Sequence, residues 1–591
     1  MTSRRLPSIA FAALLACWLP AISLSGQQQS PARGFNVLLV TLDTVRADRL
    51  GPWGYEPART PTLDALAASG IVWLDAVAPT PITLPSHASL MTGLAPPKHG
   101  VRDNGSFRLA EEKRTLAETL AGAGYETGSF VGSFVLDRRF GLGQGFATYD
   151  DDLGGGVAAS GAFAERSAEA VTEGALEWLA GREGADAPFF LWVHYFDAHS
   201  PYGPPAAFRT GDPYDGEIAY VDAQLARLVS HLEASGQRDR TLIVVTADHG
   251  ESLGEHGEPS HSIFIYESTL HIPLILSSPG LYSEPRVVED RVAGLVDVAP
   301  TLLSLLGVDG LPDADGVDLL AAPADPDRAV YIESLAPQFG HGWAPLTGLR
   351  RHRDKFIQAP EPEYYDLGER PLEMRNRADE AEAARDLSAR LATLTAGDLV
   401  AARREVSAEE RAKLESLGYV VGASISVPSG ADPKERMPYY NQFFEAFALA
   451  EEGRLSEAAE ILEASLRHER GSAKAWELAA TIFVRLSRFE DAAAAIVKAV
   501  DLSPNADRLV KLAQMRAMQG DLPEAQRLLD AAEALDPEDG SVWMIRGNLA
   551  AAGGDFARAI ECFEAAARVD PSRVGEMARS RIEIARSRLQ R

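Results

Sequence analysis

Three apolar stretches of the sequence each end in an aspartate, and this pattern constrains the fold more than any other feature. They are residues 36–43 (NVLLVTLD), 189–197 (FFLWVHYFD) and 241–248 (TLIVVTAD). Runs of this length that are rich in β-branched residues predict strands buried in a parallel sheet. Helical patterns between them, for example at 115–123 and 216–234, predict an α/β fold with a mostly parallel sheet sandwiched by helices. Because ligand sites of such sheets lie at the carboxyl ends of the strands, we expect the functional site there.

The last part of the sequence carries an internal repeat. Four large apolar residues are spaced 34, 33 and 34 positions apart, namely Leu455, Phe489, Leu522 and Phe556. An alanine follows each of them three residues later, at Ala458, Ala492, Ala525 and Ala559. Gly453, Gly520 and Gly554 mark turns. The pattern resembles the tetratricopeptide repeat over about residues 437–572, whose helix pairs stack into an all-α solenoid with a concave binding face.

These features divide the chain into four parts. We expect a signal peptide at residues 1–25, a catalytic domain at 35–400, a linker at 401–436 and the repeat domain with a capping helix at 437–591. The repeats are expected either to bind a protein or peptide partner, or to pack on the catalytic domain or on a second copy. The sequence leaves these alternatives open.

The charge and the N-terminus indicate where the protein works. A formal net charge of -28 argues against a nucleic-acid partner, because phosphate backbones require a basic surface. Arg4 and Arg5 precede an apolar stretch and small residues, which is typical of an export signal. We therefore expect a periplasmic or extracellular protein. Contact with a membrane is expected only through this segment or through lipidation of Cys17.

Two acids and a histidine at strand ends predict a metal site. Asp43 ends the first strand, and Asp248 and His249 follow a later one. Two carboxylates and one imidazole suit a divalent cation, and the histidine favours Mn²⁺ or Zn²⁺ over Ca²⁺ or Mg²⁺. We expect one ion rather than two, although Asp197 and His256 are candidates for a second.

Seven motifs then occur in the order seen in the sulfatase family of the alkaline phosphatase superfamily. They are NVLLVTLDTVRADRLG, TLPSHASLMTG, KHGVRDNG, DAHSPY, TADHGESLGEHG, YESTLHIPLILSSPG and EYYDLGERPLE, within about residues 35–375. The chain resembles this family, and the resemblance implies an alkaline-phosphatase-like fold and ester hydrolysis. It also implies that Asp43, Asp248 and His249 are metal ligands, with Thr44 at a position where many sulfatases carry a second aspartate.

Thr83 stands where sulfatases carry the cysteine or serine that is converted to formylglycine. Threonine cannot supply that aldehyde, so the formylglycine route is closed for this chain. Phosphodiesterases and phosphoethanolamine transferases related to sulfatases use a threonine instead, which implies that Thr83 is the nucleophile. A threonine hydroxyl must be activated, and coordination to the metal can do this.

Further site residues follow from the same resemblance. Asn104 matches an asparagine that binds a phosphoryl oxygen, and His199 matches the family histidine that contacts the bound sulfate or phosphate. His261 matches a histidine of phosphoethanolamine transferases, at about the place where sulfatases have a lysine. His87 replaces the arginine that supports the nucleophile, and it is expected either to hydrogen-bond Thr83 or to pack. Ser133 is the only polar residue left in VGSFVL (131–136), where sulfatases hold sulfate with lysine and histidine. His194 is expected to be a core histidine with satisfied hydrogen bonds, and His99 to fix a loop.

The sequence therefore predicts an exported, metal-dependent hydrolase of phosphate or phosphonate esters with Thr83 as nucleophile. Sulfate esters remain an alternative substrate because sulfate and phosphate are both tetrahedral. A second hypothesis is the transfer of a phospho-substituent, as in phosphoethanolamine transferases. A third is a catalytically weak scaffold whose repeats bind a protein partner.

Overall fold

The structure, a computed structural model, describes residues 32–153, 166–182, 184–209, 211–282, 284–321, 325–396, 404, 406, 410, 413–414, 429–571 and 574–590. The predicted signal peptide and Cys17 lie outside the described residues, as does most of the predicted linker. Within the described ranges, no helix is both long enough and apolar enough to cross a membrane.

The strands of the described chain form three sheets. In chain order they are β1 (Asn36–Leu42), β2 (Gly70–Trp73), β3 (Ala76–Val77), β4 (Glu126–Val131), β5 (Thr148–Asp150), β6 (Phe189–Tyr195), β7 (Thr241–Ala247), β8 (His271–Ile272), β9 (Leu274–Ser277), β10 (Arg286–Val288), β11 (Ala293–Gly294), β12 (Val330–Ser334), β13 (Leu346–Arg350), β14 (Asp354–Gln358) and β15 (Glu363–Asp366).

The largest sheet has eight strands in the order β10-β2-β9-β7-β1-β6-β4-β5. Strands β7, β1, β6, β4 and β5 run parallel, and β9 is antiparallel to both β7 and β2. The three predicted strands β1, β6 and β7 lie side by side at its centre and are almost completely buried. The predicted α/β fold with a mostly parallel sheet is therefore confirmed.

The register of the central strands brings the predicted site together. Leu42 of β1 lies opposite Tyr195 of β6 and Ala247 of β7. The residues that follow these strands, including Asp43 and Asp248, therefore leave the sheet at the same level and at the same edge. This follows from parallel pairing, which places equivalent carboxyl ends together.

Helices of the catalytic region connect and cover the sheet. They are α1 (Pro61–Ala68), α2 (Thr83–Thr92), α3 (Pro96–His99), α4 (Leu116–Gly122), α5 (Ala168–Ala180), α6 (Pro213–Ala234), α7 (Glu267–Leu270), α8 (Val298–Leu306), α9 (Ala336–His341) and α10 (Glu382–Leu394). Helix α5 packs on β4 and β6, and α1 packs on β9. After α8, strands β12 to β15 form a separate antiparallel sheet on which α10 packs.

The C-terminal region consists of consecutive helices, as the repeat pattern predicts. They are α11 (Pro433–Glu451), α12 (Leu455–Leu466), α13 (Ala473–Arg485), α14 (Phe489–Leu502), α15 (Ala506–Met518), α16 (Leu522–Leu535), α17 (Gly540–Ala552), α18 (Phe556–Val569) and α19 (Gly575–Leu589). The four in-phase alanines are completely buried, at Ala458, Ala492, Ala525 and Ala559. A methyl group is small enough to let the paired helices approach closely, which explains the periodic alanine.

The first repeat helix is docked on the catalytic region. Met437 is 2% exposed and belongs to the main hydrophobic core, which includes the central strands. The side-chain amide of Asn441 donates to the carbonyl oxygen of Gly257 at 2.6 Å, and Lys434 bonds Glu363 at 2.8 Å. The segment 250–262 that follows β7 is therefore held in part by the repeat domain.

The segment between the two regions also contacts the catalytic core. Leu414 is completely buried, and its Cδ1 atom occupies the space that a β-carbon on Gly105 would need. Arg404 donates from Nε to the Gly105 carbonyl oxygen at 2.7 Å and from its backbone N–H to Ser106 at 2.9 Å. The loop that carries Asn104 is thus packed against residues beyond position 400.

One repeat lacks the usual turn glycine. The turns before three of the helices contain Gly453, Gly520 and Gly554 with φ between 81° and 85°, but Ser487 occupies the equivalent position with φ 61°. Left-handed backbone costs a residue with a β-carbon roughly 1–2 kcal/mol.

We therefore expect Ser487→Gly to raise the free energy of unfolding of the repeat domain by about 1 kcal/mol, measured by urea unfolding. Gly520→Ser is the matched control and should lower it, and equal stability of all three proteins would contradict this account.

A buried acid near the docked helix predicts how stability depends on pH. Glu258 is 2% exposed and accepts backbone N–H bonds from Ile263 and Phe264 at 2.8 and 3.2 Å. Burial outweighs these bonds and raises the pKa of Glu258 to about 8, against an ordinary value of 4.5. Between these two values the folded chain holds a proton that the unfolded chain has lost, so stability is complete below the lower value and falls as pH rises through the window.

The free energy of unfolding is therefore expected to fall from pH 5 to pH 8, with a Glu258 contribution on the order of 1.4 kcal/mol per pH unit. In Glu258→Gln this decline should be smaller. Glu255→Gln is the control in the same segment, because the pKa of Glu255 is lowered beneath its ordinary value despite burial, chiefly by Arg46. Chemical unfolding at four pH values measures the slopes, and equal slopes for Glu258→Gln and the parent would overturn the assignment.

Candidate active site

Asp43, Asp248 and His249 meet at the carboxyl edge of the sheet and are completely buried. Nε2 of His249 lies 3.8 Å from Asp43 Oδ1 and 3.5 Å from Asp248 Oδ2. Its Nδ1 donates to the Gly250 carbonyl oxygen at 2.9 Å, so Nε2 faces the two carboxylates and is the nitrogen that would bind a cation. This orientation is the one that a metal-binding imidazole adopts.

His249 is the basic group beside these carboxylates: burial lowers its pKa, but Asp248 and Asp43 outweigh burial and raise that pKa above its ordinary value. Both oxygens of Asp43 and Oδ2 of Asp248 have no hydrogen-bond partner among the described residues, whereas Oδ1 of Asp248 accepts the backbone N–H groups of Thr44 and His249. Burial and the adjacent Asp248 raise the pKa of Asp43 well above its usual range. Buried acids of this kind are normally paired or bound to a metal, and this donor set fits a divalent cation.

Thr83 lies beside these groups at the start of α2. Its hydroxyl oxygen is 3.3 Å from Nε2 of His249, and the residue is completely buried. As the first residue of a ten-residue helix, it stands at the positive end of the helix dipole, which stabilises negative charge on its oxygen. The predicted nucleophile and the predicted metal ligands therefore converge.

His87, one turn along α2, contacts the backbone of Thr83. Nδ1 of His87 lies 2.8 Å from the Thr83 carbonyl oxygen, and Nε2 lies 3.0 Å from the hydroxyl of Thr41. Burial lowers the pKa of His87 to about 3, so the imidazole is neutral. Of the two expectations for His87, hydrogen bonding to Thr83 is the one that the geometry favours.

Asn104 is anchored next to the nucleophile with its amide nitrogen left for a ligand. Oδ1 accepts the backbone N–H of Leu84 at 2.8 Å. Nδ2 is buried and has no hydrogen-bond partner among the described residues. Because buried donors are rarely left unsatisfied, this N–H group is a candidate for binding an oxygen of the substrate.

His199 and His261 line the other side of His249. The ring of His261 lies 4.6 Å from that of His249 and 4.9 Å from that of His199, centroid to centroid. Nδ1 of His199 donates to the Ser200 carbonyl oxygen at 2.6 Å, and Nδ1 of His261 lies 3.1 Å from Glu251 Oε1. Burial lowers the pKa of both rings, for His199 to about 3.

Comparison with known proteins identifies the domain. A family model described as Sulfatase matches residues 35–308, and a tetratricopeptide-repeat model matches residues 445–507 and 511–574. Residues 35–308 form a sulfatase-family domain. The chain is a hydrolase of the alkaline phosphatase superfamily, and its C-terminal helices are tetratricopeptide repeats.

Three similar proteins illustrate the range of this family. The ulvan-active sulfatase of Formosa agariphila is 26% identical over 57% of this chain and 75% of its own. The multifunctional alkaline phosphatase superfamily protein PehA of Trinickia caryophylli is 26% identical over 51% of this chain and 80% of its own. The crystal structure of phosphonate monoester hydrolase of Agrobacterium radiobacter aligns with a TM-score of 0.51 and 24% identity over 62% of this chain and 96% of that chain.

Two residues considered for a second metal lie elsewhere in the sulfatase domain. Asp197 accepts the backbone N–H of Ala168 at 2.8 Å and so caps α5. His256 stacks on Tyr266 with ring centroids 3.9 Å apart. Thr44 also points away from the site, because its hydroxyl donates to backbone carbonyl oxygens, at 2.8 Å in the case of Ala198.

The expectations for the remaining histidines have opposite outcomes. His99 bonds Ser89 at 2.9 Å and the backbone N–H of Val101 at 3.1 Å, so the prediction that it fixes a loop is confirmed. The prediction that His194 is a satisfied core histidine is wrong. The ring is completely buried, yet neither nitrogen has a hydrogen-bond partner among the described residues.

Sequence reasoning missed Glu251. This acid is completely buried, contacts His261 through Oε1, and accepts the Tyr202 hydroxyl at 3.0 Å through Oε2. It therefore fixes the ring orientation and tautomer of His261. In the sequence Glu251 lies within the motif TADHGESLGEHG, three residues after Asp248, but nothing in that motif shows that this acid is buried against His261.

Metal content tests the predicted ligand set. Asp43→Asn is expected to lose bound cation, because an amide is a weaker and uncharged ligand. It should also leave the metal-free protein at least as stable as the parent, since one of two adjacent buried acids that repel each other is removed. Elemental analysis after gel filtration and thermal unfolding with a chelator measure the two effects.

The matched control is Asp197→Asn, which changes an equivalent strand-end acid that caps a helix. It should keep its cation and lose some stability instead, because the amide is a weaker cap for the charged N-terminus of α5. Unchanged metal content in Asp43→Asn would refute the ligand set.

Proposed function

We propose that the sulfatase domain hydrolyses phosphate or phosphonate esters through a covalent intermediate on Thr83. The observation that carries the proposal is the position of the Thr83 hydroxyl, 3.3 Å from Nε2 of His249 and beside the buried carboxylates of Asp43 and Asp248. A divalent cation held by Asp43, Asp248, His249 and Thr83 would lower the pKa of that hydroxyl and offset negative charge on the substrate.

The chain's own groups provide the remaining parts of the reaction. The Thr83 oxygen attacks phosphorus in line with the leaving oxygen, and the N-terminus of α2 stabilises the charge on the attacking atom. Asn104 donates from Nδ2 to a non-bridging oxygen, because the backbone of Leu84 holds its other end. Water then hydrolyses the phosphothreonine and restores the hydroxyl.

His199 and His261 act on the charge of the ester. In each neutral ring Nδ1 carries the proton, because it faces the Ser200 carbonyl oxygen or the Glu251 carboxylate. Nε2 then holds a lone pair and can donate to the substrate only after taking up a proton. An anionic ester favours that protonation, so these histidines are suited to binding the negatively charged group and returning the proton to the leaving oxygen.

The contacts of this site favour phosphorus over sulfur. Thr83 excludes formylglycine chemistry, and Ser133 is buried with an unpartnered hydroxyl at the place where the sulfatase pattern has lysine and histidine. The fold similarity to a phosphonate monoester hydrolase and the sequence similarity to a multifunctional member of the superfamily are compatible with this substrate class. Water as the acceptor distinguishes this proposal from phospho-transfer to an alcohol.

The proposed location is outside the cytoplasm, as the N-terminal sequence indicates. The proposed role of the repeats is to bind a protein or peptide on their concave face. Fractionation of cells that express the full chain tests the location, and recovery of the protein in the cytosolic fraction alone would contradict it.

Substrate comparison tests the reaction. Aryl phosphate monoesters, diesters and phosphonate esters should give a higher kcat/KM than the matching aryl sulfate. Thr83→Ala should lower kcat by on the order of a thousandfold or more, and Thr83→Ser should retain much of the activity because it keeps a hydroxyl. Acid quenching during turnover should show one added phosphoryl group on Thr83 by mass spectrometry.

Three outcomes would each decide against the proposal. They are preferred turnover of the aryl sulfate, full activity in Thr83→Ala, and release of product only when an alcohol acceptor is present. The last outcome would assign the domain to phospho-transfer instead.

A further inference from the structure

His194 is a buried group that the proposed reaction does not use. It lies on β6 opposite Thr41 of β1, and its ring is completely buried. Its Nε2 atom is 3.3 Å from Oδ2 of Asp43, but neither ring nitrogen makes a hydrogen bond to any of the described residues. Two polar groups this close, both buried and both unsatisfied, indicate a missing ligand.

The two oxygens of Asp43 face different imidazoles. Oδ1 is the oxygen near Nε2 of His249, at 3.8 Å, whereas Oδ2 is the one near Nε2 of His194. A single cation beside Thr83 and His249 therefore accounts for Oδ1 and leaves Oδ2 and His194 unexplained. Carboxylates can bind one cation through each oxygen, as they do in sites that hold two metals about 3.5–4 Å apart.

His87 completes a second group of ligand atoms. Its Nδ1 lies 3.8 Å from Oδ2 of Asp248, and its ring meets that of His194 edge to face at 5.0 Å. One ligand atom each from His87, His194 and Asp248 lies within 4.8 Å of the others, and ligand atoms of Asp43, Asp248 and His249 also lie within 4.8 Å of one another. The two groups share Asp248.

The surroundings of His87 allow it to act as a ligand. Without a cation, Nδ1 carries the proton and donates to the Thr83 carbonyl oxygen 2.8 Å away. Thr41 Oγ1 lies 3.0 Å from Nε2 and also accepts the indole N–H of Trp192 at 3.0 Å, so it can accept a proton from Nε2 as well. The proton can therefore sit on Nε2 instead, so that a bound cation on Nδ1 would replace the hydrogen bond that Nδ1 donates to Thr83.

We propose that the domain binds a second divalent cation between Asp43 Oδ2, Asp248 Oδ2, His87 and His194. Two imidazoles with two carboxylates suit Zn²⁺ or Mn²⁺. The proposal rests on the cation site of the proposed function, because the carboxylates are shared. This second ion would not touch the ester, but it would neutralise the second buried charge and, through His87, fix the turn of α2 that carries Thr83.

Metal stoichiometry tests the proposal on the purified full chain. With Zn²⁺ or Mn²⁺ alone as the probe, the parent should bind two ions per chain and His194→Gln should bind one. His99→Gln is the matched control, because it changes another buried histidine of the same domain and should still bind two. Circular dichroism confirms that each variant is folded.

A second measurement needs no variant. In the protein fully loaded with Mn²⁺, two ions that share carboxylates should give an exchange-coupled electron paramagnetic resonance spectrum. A single isolated six-line spectrum at every loading would overturn the second site.

The possible stoichiometries separate this proposal from the proposed function. One ion in the parent and one in His194→Gln would remove the second site and leave the first intact. One ion in the parent and none in His194→Gln would place His194 in the first site and also overturn the proposal. No ion in the parent would overturn both.

Discussion

The structure of the site depends on the burial of two acids beside a single imidazole, that of His249. Parallel pairing of β1 and β7 forces Asp43 and Asp248 to the same edge of the sheet, where both are completely buried. Their mutual repulsion and lost hydration oppose folding of the metal-free chain. Cation binding and correct folding of this edge are therefore linked, and the surrounding imidazoles, Thr83 and the N-terminus of α2 are arranged around that charge.

The regions outside the family domain also support the site. The loop of Asn104 packs against Leu414 and Arg404, and the segment 250–262, which carries Glu251 and His261, is held by Asn441 of the first repeat helix. Both catalytic loops thus contact parts of the chain beyond residue 400. The repeat domain is connected to the chemistry by packing and hydrogen bonds as well as by the linker.

Periodicity and strand-end chemistry explain why much of the fold was predictable. The three apolar runs became adjacent central strands, and the alanine repeat became buried helix contacts, because both patterns describe local conformations that bury one face. The convergence of Asp43, Thr83, Asp248 and His249 was predictable from the motifs. Three features were not predictable, because each depends on contacts between segments far apart in sequence. They are the contacts of Glu251 with Tyr202 and His261, the unsatisfied ring of His194 and the docking of Met437.

The sequence by itself determined the α/β class and the repeat array and pointed to Thr83 as the candidate nucleophile, because strand length, helical period and side-chain chemistry are properties of short segments. Only the tertiary structure decided which oxygen of Asp43 faces which histidine, and whether His87 packs or bonds to Thr83. It also decided that Asp197 caps a helix rather than binding metal. Those outcomes depend on the register between strands and on side-chain orientation, which are fixed only when distant parts of the chain pack together.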